Sequence, residues 1–260
     1  MSDINPYRPP AALVFEIATA TAADANFLPA GRVVDAARGW NWITDAFALF
    51  KKQPGNWILV LIVGVAITAV LHLLPIVGLV SGLLFPVFNG GLMLGCRALD
   101  SGEQLTVGHL FAGFKENTSN LVLVGVIVGV LSMLIAVPVM LAAVGPAFIT
   151  LLTGGRPDFA LFGLRLVFGG LIVAALLLPV YMAMWFAPAL VVLNGMSATA
   201  ALKASFTACL RNVVPFLVYG VLMLVLYFVA MIPLALGLLV YLPVMFISIY
   251  TAYRDIFYTQ

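Results

Sequence analysis

Long apolar runs alternate along this chain with short polar stretches, and most of the runs approach or exceed twenty residues. A bilayer hydrocarbon core about 30 Å thick is crossed by roughly 20 residues of helix. Six stretches meet that demand, at about 57–74, 76–99, 120–144, 161–190, 213–232 and 236–253. The expected fold class is therefore all-α, a polytopic membrane bundle of six transmembrane helices. The first two spans are separated only around Pro75 and the last two around Pro233, so each pair reads as a tight hairpin. The third and fourth are joined by a longer segment, 146–159. Its apolar Phe148, Ile149, Leu151 and Leu152 are too few to cross and suit an interfacial or re-entrant position. Pro86, Pro179 and Pro188 fall inside spans and mark places where a helix can break.

The segments ahead of the hairpins follow a different pattern. Phe47, Phe111 and Phe206 take equivalent places in them, and basic residues close each segment: Lys51 and Lys52, Lys115, Arg211. Asn56, Asn120 and Asn212 then stand near the start of the following span. In the first segment Trp40, Ile43, Phe47 and Phe50 share one helical face, while Arg38, Asn41, Asp45 and Lys52 take the other. Such a helix can lie in the headgroup layer. The expected organisation is three repeats of interfacial helix plus transmembrane hairpin, over about 31–104, 105–192 and 193–260. Residues 1–30, rich in Pro, Ala, Thr and Asp, lack a basic stretch followed by an apolar run and read as a disordered cytoplasmic tail; 31–260 form the membrane domain.

Composition rules out water as the surrounding solvent. Hydrophobic residues make up 64%, charged residues 8%, and the mean hydropathy is +1.17, against about 25% charged in soluble domains. The few charges also set an orientation. Arg8, Arg32, Arg38, Lys51, Lys52, Arg97, Lys115, Lys203, Arg211 and Arg254 fall on one side of the expected spans, and only Arg156 and Arg165 on the other. Positive charge stays in the cytoplasm, so both termini are expected there. A net charge of +2 without a long basic run excludes nucleic acid as a partner.

Candidate chemistry is sparse. The acids are scattered singly over short connections, and no nucleophile–base pair, metal-ligand set or phosphate-cradling loop stands out. No catalytic, cofactor-binding or metal-binding residue is assigned, and an enzyme is not expected. Cys96 and Cys209 read as packing residues, His72 as a hydrogen-bonding residue near a span end, His109 as unpartnered, and Asn89 as a packing or bulge-satisfying residue. Trp57, Trp185, Tyr181 and Tyr250 suit interface anchors. Arg254 and Asp255 are placed to pair with each other or with the lead-in helices. Three GxxxG stretches, at Gly78 and Gly82, Gly91 and Gly95, and Gly125 and Gly129, point to close helix packing. Lys51, Lys52, Lys115, Lys203 and Arg211 are the candidate lipid-headgroup contacts. The partners expected are membrane lipids, with a second copy of the chain or another membrane protein as candidates.

Several short motifs carry a likeness: Asn5-Pro6-Tyr7, Trp42-Ile43 with Phe47 and Phe50, Phe186 with Pro188-Ala189-Leu190, Ala201 with Ser205-Phe206, Arg211-Asn212, and Tyr253 through Phe257. They resemble uncharacterised proteobacterial polytopic inner-membrane proteins. They are also similar to the membrane domain that precedes the catalytic domain of some glycerophosphodiester phosphodiesterases. The resemblance implies a six-helix inner-membrane protein and supplies no active site, because this sequence has no such catalytic domain. The role expected is non-catalytic, organising lipids or partner proteins or serving envelope homeostasis. The alternative is a transporter or channel for a small, largely apolar solute, resting on helix breaks at Pro86, Pro179 and Pro188.

Overall fold

The computed structural model describes residues 26–73 and 75–259, with backbone alone for 75–81. Most of the expected tail, 1–25, therefore lies outside the described residues. Residues 26–30 do not behave as tail: Phe27 bridges to Tyr258, and the Leu28 amide donates to the Phe257 carbonyl at 2.8 Å.

Among the described residues a short helix precedes each pair of long ones. Helix α1 (Arg38–Lys52) leads to α2 (Pro54–His72) and α3 (Pro75–Asp100); a 3-10 helix, η1 (Val107–Phe114), leads to α4 (Thr118–Leu152) and α5 (Phe159–Asn194); α6 (Ala198–Arg211) leads to α7 (Val213–Met231) and α8 (Leu238–Phe257). Five are long and apolar enough to cross a membrane: α2, α3 from Gly82 onward, α4, α5 and α7. Helix α8 is not among them, since its last turn carries Arg254 and Asp255.

Helices α4 and α5 run for 35 and 36 residues, about 53 Å at 1.5 Å per residue. The connection expected over 146–159 forms no separate re-entrant segment: Phe148–Leu152 is the end of α4, and α5 starts at Phe159. Pro86, Pro179 and Pro188 likewise sit inside continuous helices. In lipid a broken helix would expose a whole turn of unpaired backbone, so continuing past one missing hydrogen bond is the cheaper solution. Near Pro188 a side chain helps. Ser205 on α6 accepts from the Phe186 amide at 2.9 Å and donates to the Met182 carbonyl at 2.8 Å, inserting a hydroxyl into the α5 ladder.

The short helices pack against the bundle. Helix α1 buries Gly39, Trp42, Ile43, Ala46, Leu49 and Phe50, with the Trp42 ring 5.1 Å from Phe216 and 6.1 Å from Tyr219. Trp40 and Phe47, expected on the apolar face, are exposed. The face is rotated because α7 and α8 offer it a larger apolar surface than a headgroup layer does. The second short helix is 3-10 rather than α, and it presses on α3 backbone to backbone. A Cβ on Gly113 would stand 2.0 Å from the Val87 carbonyl, and one on Gly91 2.3 Å from that of His109. Gly125 meets the Leu83 carbonyl as closely, at 2.2 Å. Two of the GxxxG stretches thus serve contacts inside one chain.

Three asparagines fasten the chain at the end that holds Asn26 and Thr259. Asn56 donates to the Leu105 carbonyl at 2.8 Å, just ahead of η1. Asn120 accepts from the Ala198 amide at 3.2 Å, at the start of α6. Asn212 accepts from the Val34 amide and donates to the Arg32 carbonyl, both at 2.9 Å, just ahead of α1. Each therefore grips the entry to the next short helix, and the last returns to the first.

Candidate functional site

Two places gather the polar chemistry: the end that holds most of the charges, and a groove on the flank of the bundle. At the charged end Asp255 is buried and saturated. Its Oδ1 accepts from Arg32 at 2.7 Å, and its Oδ2 from Arg38 at 2.7 Å and from the Trp42 indole at 2.8 Å. Burial pushes this carboxyl up, but the hydrogen bonds from Arg38, Trp42 and Arg32 outweigh it and hold the group below the ordinary carboxylate range. The Arg38 guanidinium is raised in turn, chiefly by its hydrogen bond to Asp255. Arg254 turns the other way and pairs with Asp100. An acid with both oxygens engaged by cations and an indole is a clamp, not a proton carrier.

The candidate headgroup contacts all fall at this end. Lys51, Lys52, Lys115, Lys203 and Arg211 are spread over it. Lys51 stands 5.1 Å above the Phe47 ring, Lys52 donates to the Leu99 carbonyl at 3.3 Å, and Arg211 donates to the Ala30 carbonyl at 3.4 Å. None of the five pairs with a carboxylate among the described residues. Lys203 and Thr199 border an apolar crevice of about 270 Å3 between α4, α5 and α6, walled by Ile127, Leu131, Val180 and Phe206. The structure does not bring the five together into one pocket.

The flank groove lies between α2, α3 and α8 and encloses about 530 Å3. It exists because α2 is anchored at one end only: of its nineteen residues just Trp57 and Val60 are buried. Gly64, Val65, Thr68 and His72 line it from α2, Phe85, Asn89 and Leu92 from α3, and Pro243 and Phe246 from α8. Among the described residues no Asp, Glu, Lys or Arg is in the wall. Thr68 and His72 are already engaged, the hydroxyl with the Gly64 carbonyl and the imidazole with the Thr68 carbonyl. Two buried atoms are not. Trp57 Nε1 and Asn89 Oδ1 have no hydrogen-bond partner among the described residues, although the residues are 2% and 5% exposed. Such orphans are rare in folded proteins. A third, Trp185 Nε1, sits in an aromatic cluster with Phe216 and Tyr219.

Pattern alone makes Trp57 an interface anchor and Asn89 a packing residue, and does not join them. That both line one groove depends on the packing of α2 against α3; the one signal in the sequence is a pair of small residues, Gly64 and Gly82, on the two walls. His109, expected to be unpartnered, accepts from the Thr106 amide at 3.1 Å and closes the start of η1. Cys96 and Cys209 are free and buried. Burial pushes the Cys209 thiol up to about 12. Among the described residues no cluster of His, Cys, Asp or Glu is suited to a metal ion.

A probable inner membrane protein of Burkholderia thailandensis is 28% identical to this chain over 207 residues, covering 73% of each. No family model matches the chain. No solved structure matches it.

Proposed function

For an inner membrane protein with multiple transmembrane helices, we propose a non-catalytic role in which the charged end gathers anionic lipid headgroups and the helices order the chains beneath them. The observation that carries this reading is the set of cations at one end, Lys51, Lys52, Lys115, Lys203 and Arg211, none neutralised by a carboxylate among the described residues. Each such residue near an anionic surface contributes about 1 kcal/mol. The crevice under Lys203 supports it, since a cation above an apolar slot suits a phosphate above an acyl chain.

This reading takes six spans, with α8 as the sixth over about 236–253, and puts both termini in the cytoplasm by the excess of Lys and Arg at the charged end. The three asparagine grips support a threefold repeat of short helix plus hairpin, since each holds the entry to the following unit. The transport alternative loses its support, because Pro86, Pro179 and Pro188 do not break their helices. The test is lipid retention by the purified chain in native mass spectrometry, with phosphatidylglycerol against phosphatidylcholine. Charge reversal at Lys51, Lys52 and Lys203 is expected to abolish the preference for phosphatidylglycerol; an unchanged preference would sink the reading.

A further inference from the structure

One hairpin is longer than the membrane that its neighbours fit. Helix α2, with nineteen residues, is about 28 Å long, close to the roughly 30 Å of a hydrocarbon core. Helices α4 and α5 are almost twice as long, and the excess lies at the end away from the charges. Gly125 packs on the Leu83 carbonyl. From that level α3 has about 12 Å left before Pro75, while α4 has about 40 Å left before Leu152. On the other side the Trp185 ring meets Phe216 at 5.9 Å. From there α7 runs about 22 Å to Met231, and α5 runs about 39 Å back to Phe159. The α4–α5 hairpin therefore outreaches the other two by roughly 17–28 Å along its axis. We propose that its far half, Met133–Leu152 with Phe159–Pro179, is an arm covered by phospholipid acyl chains, which bends at Pro138 and Pro179 and lies obliquely in the leaflet opposite the charged end.

What covers the arm follows from its residues. Within it only Ala143 and Gly169 are buried, and they face each other, a Cβ on Gly169 standing 3.1 Å from that of Ala143. Leu134, Leu141, Phe148, Leu152, Phe159 and Phe168 are exposed. The polar side chains in the arm are Thr150, which donates to the Pro146 carbonyl, and Arg165. Apolar character ends only at the turn, where Arg156 stands and Asp158 caps α5 by accepting from the Ala160 and Leu161 amides. Helical side chains lean toward the N-terminus, so Arg165 extends along α5 toward that same boundary. A rod standing in water would turn polar where it leaves the membrane. This one turns polar at its tip, so hydrocarbon follows it there. A partner protein or a second copy would cover one face, and the arm is apolar on every side that its own two helices leave open. An over-long helix answers its excess by tilting or kinking. The near half cannot lean, because Leu121, Val124, Gly125 and Val128 are buried in the bundle. The bend therefore falls at the root of the arm, where Pro138 and Pro179 each leave a carbonyl one turn back without its helical donor. The arm shares no residue with the cations of the charged end, so the two readings fail separately.

The test uses the full chain in phosphatidylcholine vesicles, with a nitroxide label on Leu141→Cys, Phe148→Cys, Leu152→Cys or Thr153→Cys, one at a time. The native Cys96 and Cys209 are 0% and 4% exposed, and the unsubstituted chain controls for their labelling. Oxygen, which partitions into hydrocarbon, and a nickel chelate, which stays in water, serve as competing relaxants. The first three labels are expected to favour oxygen and the one at Thr153→Cys to favour nickel. Nickel access at Phe148→Cys and Leu152→Cys would mean an arm standing in water, and shielding from both relaxants would mean cover by protein; either result overturns the proposal. Bending is read from the distance between labels on Thr153→Cys and on Ile232→Cys, just past the end of α7. That distance is expected to shift between dimyristoleoyl and dierucoyl phosphatidylcholine, because a thicker bilayer lets the arm stand more upright. Pro138→Ala combined with Pro179→Ala should shrink the shift. A constant distance in the native background, or an equal shift in the double proline variant, would overturn the bend.

Discussion

Asp255 and Asn89 are both buried polar residues in an apolar chain, and their surroundings are opposite. Asp255 meets two guanidinium groups and an indole within 2.8 Å. Asn89 keeps an oxygen beside a groove with no partner among the described residues. Burying an unpaired polar group costs free energy, so the saturated one is explained by the fold and the unsaturated one is not. Polar groups that hold this bundle together have spent their capacity on it.

That contrast can be broken at its strong side first. Asp255→Ala strands Arg32, Arg38 and the Trp42 indole, and truncating one member of a buried charged cluster costs about 3–5 kcal/mol. Because both arginines are partly exposed, the lower figure is expected, seen as a drop in the thermal midpoint in detergent. Gly113→Ala should come next, at about 1–3 kcal/mol, because its Cβ would meet the Val87 backbone rather than a side chain that can swing away. A smaller effect comes with acid. The Asp255 carboxyl is held below its ordinary value of 3.8, so its contribution is complete above that value and fades as pH falls through the lower, folded-state value. An unfolding series from pH 5 downward should show that loss, and Asp255→Asn should lack it. The smallest effect has the opposite sign. Asn89→Leu is expected to leave stability unchanged or raise it by up to about 1 kcal/mol, as read from the same thermal midpoint without added lipid. A clear destabilisation would mean that Asn89 holds the fold after all.

Much of the architecture is legible in the sequence because hydropathy and length speak directly about crossing a membrane. Five of the expected spans meet the length and apolarity of membrane-crossing helices, and the short helices stand where Phe47, Phe111 and Phe206 announce them. What pattern alone cannot say is which apolar surface faces lipid and which faces protein, since both select the same residues. Periodicity groups Trp40 and Phe47 with Ile43 and Phe50 for that reason, and the fold separates them. The prolines mislead in a similar way: a residue that ends helices in water is carried inside them here, at Pro138, Pro146, Pro179 and Pro188. The partners of Asp255 lie more than two hundred positions away in sequence, and the groove is made of residues that look lipid-facing one at a time.

The ring of asparagine grips also sets a clock. Asn56 and Asn120 take hold of segments made 49 and 78 residues away, but the link that closes the ring joins Val34 to Asn212 across 178 residues, and Arg32 meets Asp255 across 223. At about 5–20 residues per second of synthesis, the N-terminal segment waits roughly ten to forty-five seconds for its partner to emerge. During that interval Trp42 and the arginines have neither α7 nor α8 to cover them, so an early helix must be shielded by the insertion machinery or by lipid until the last one arrives.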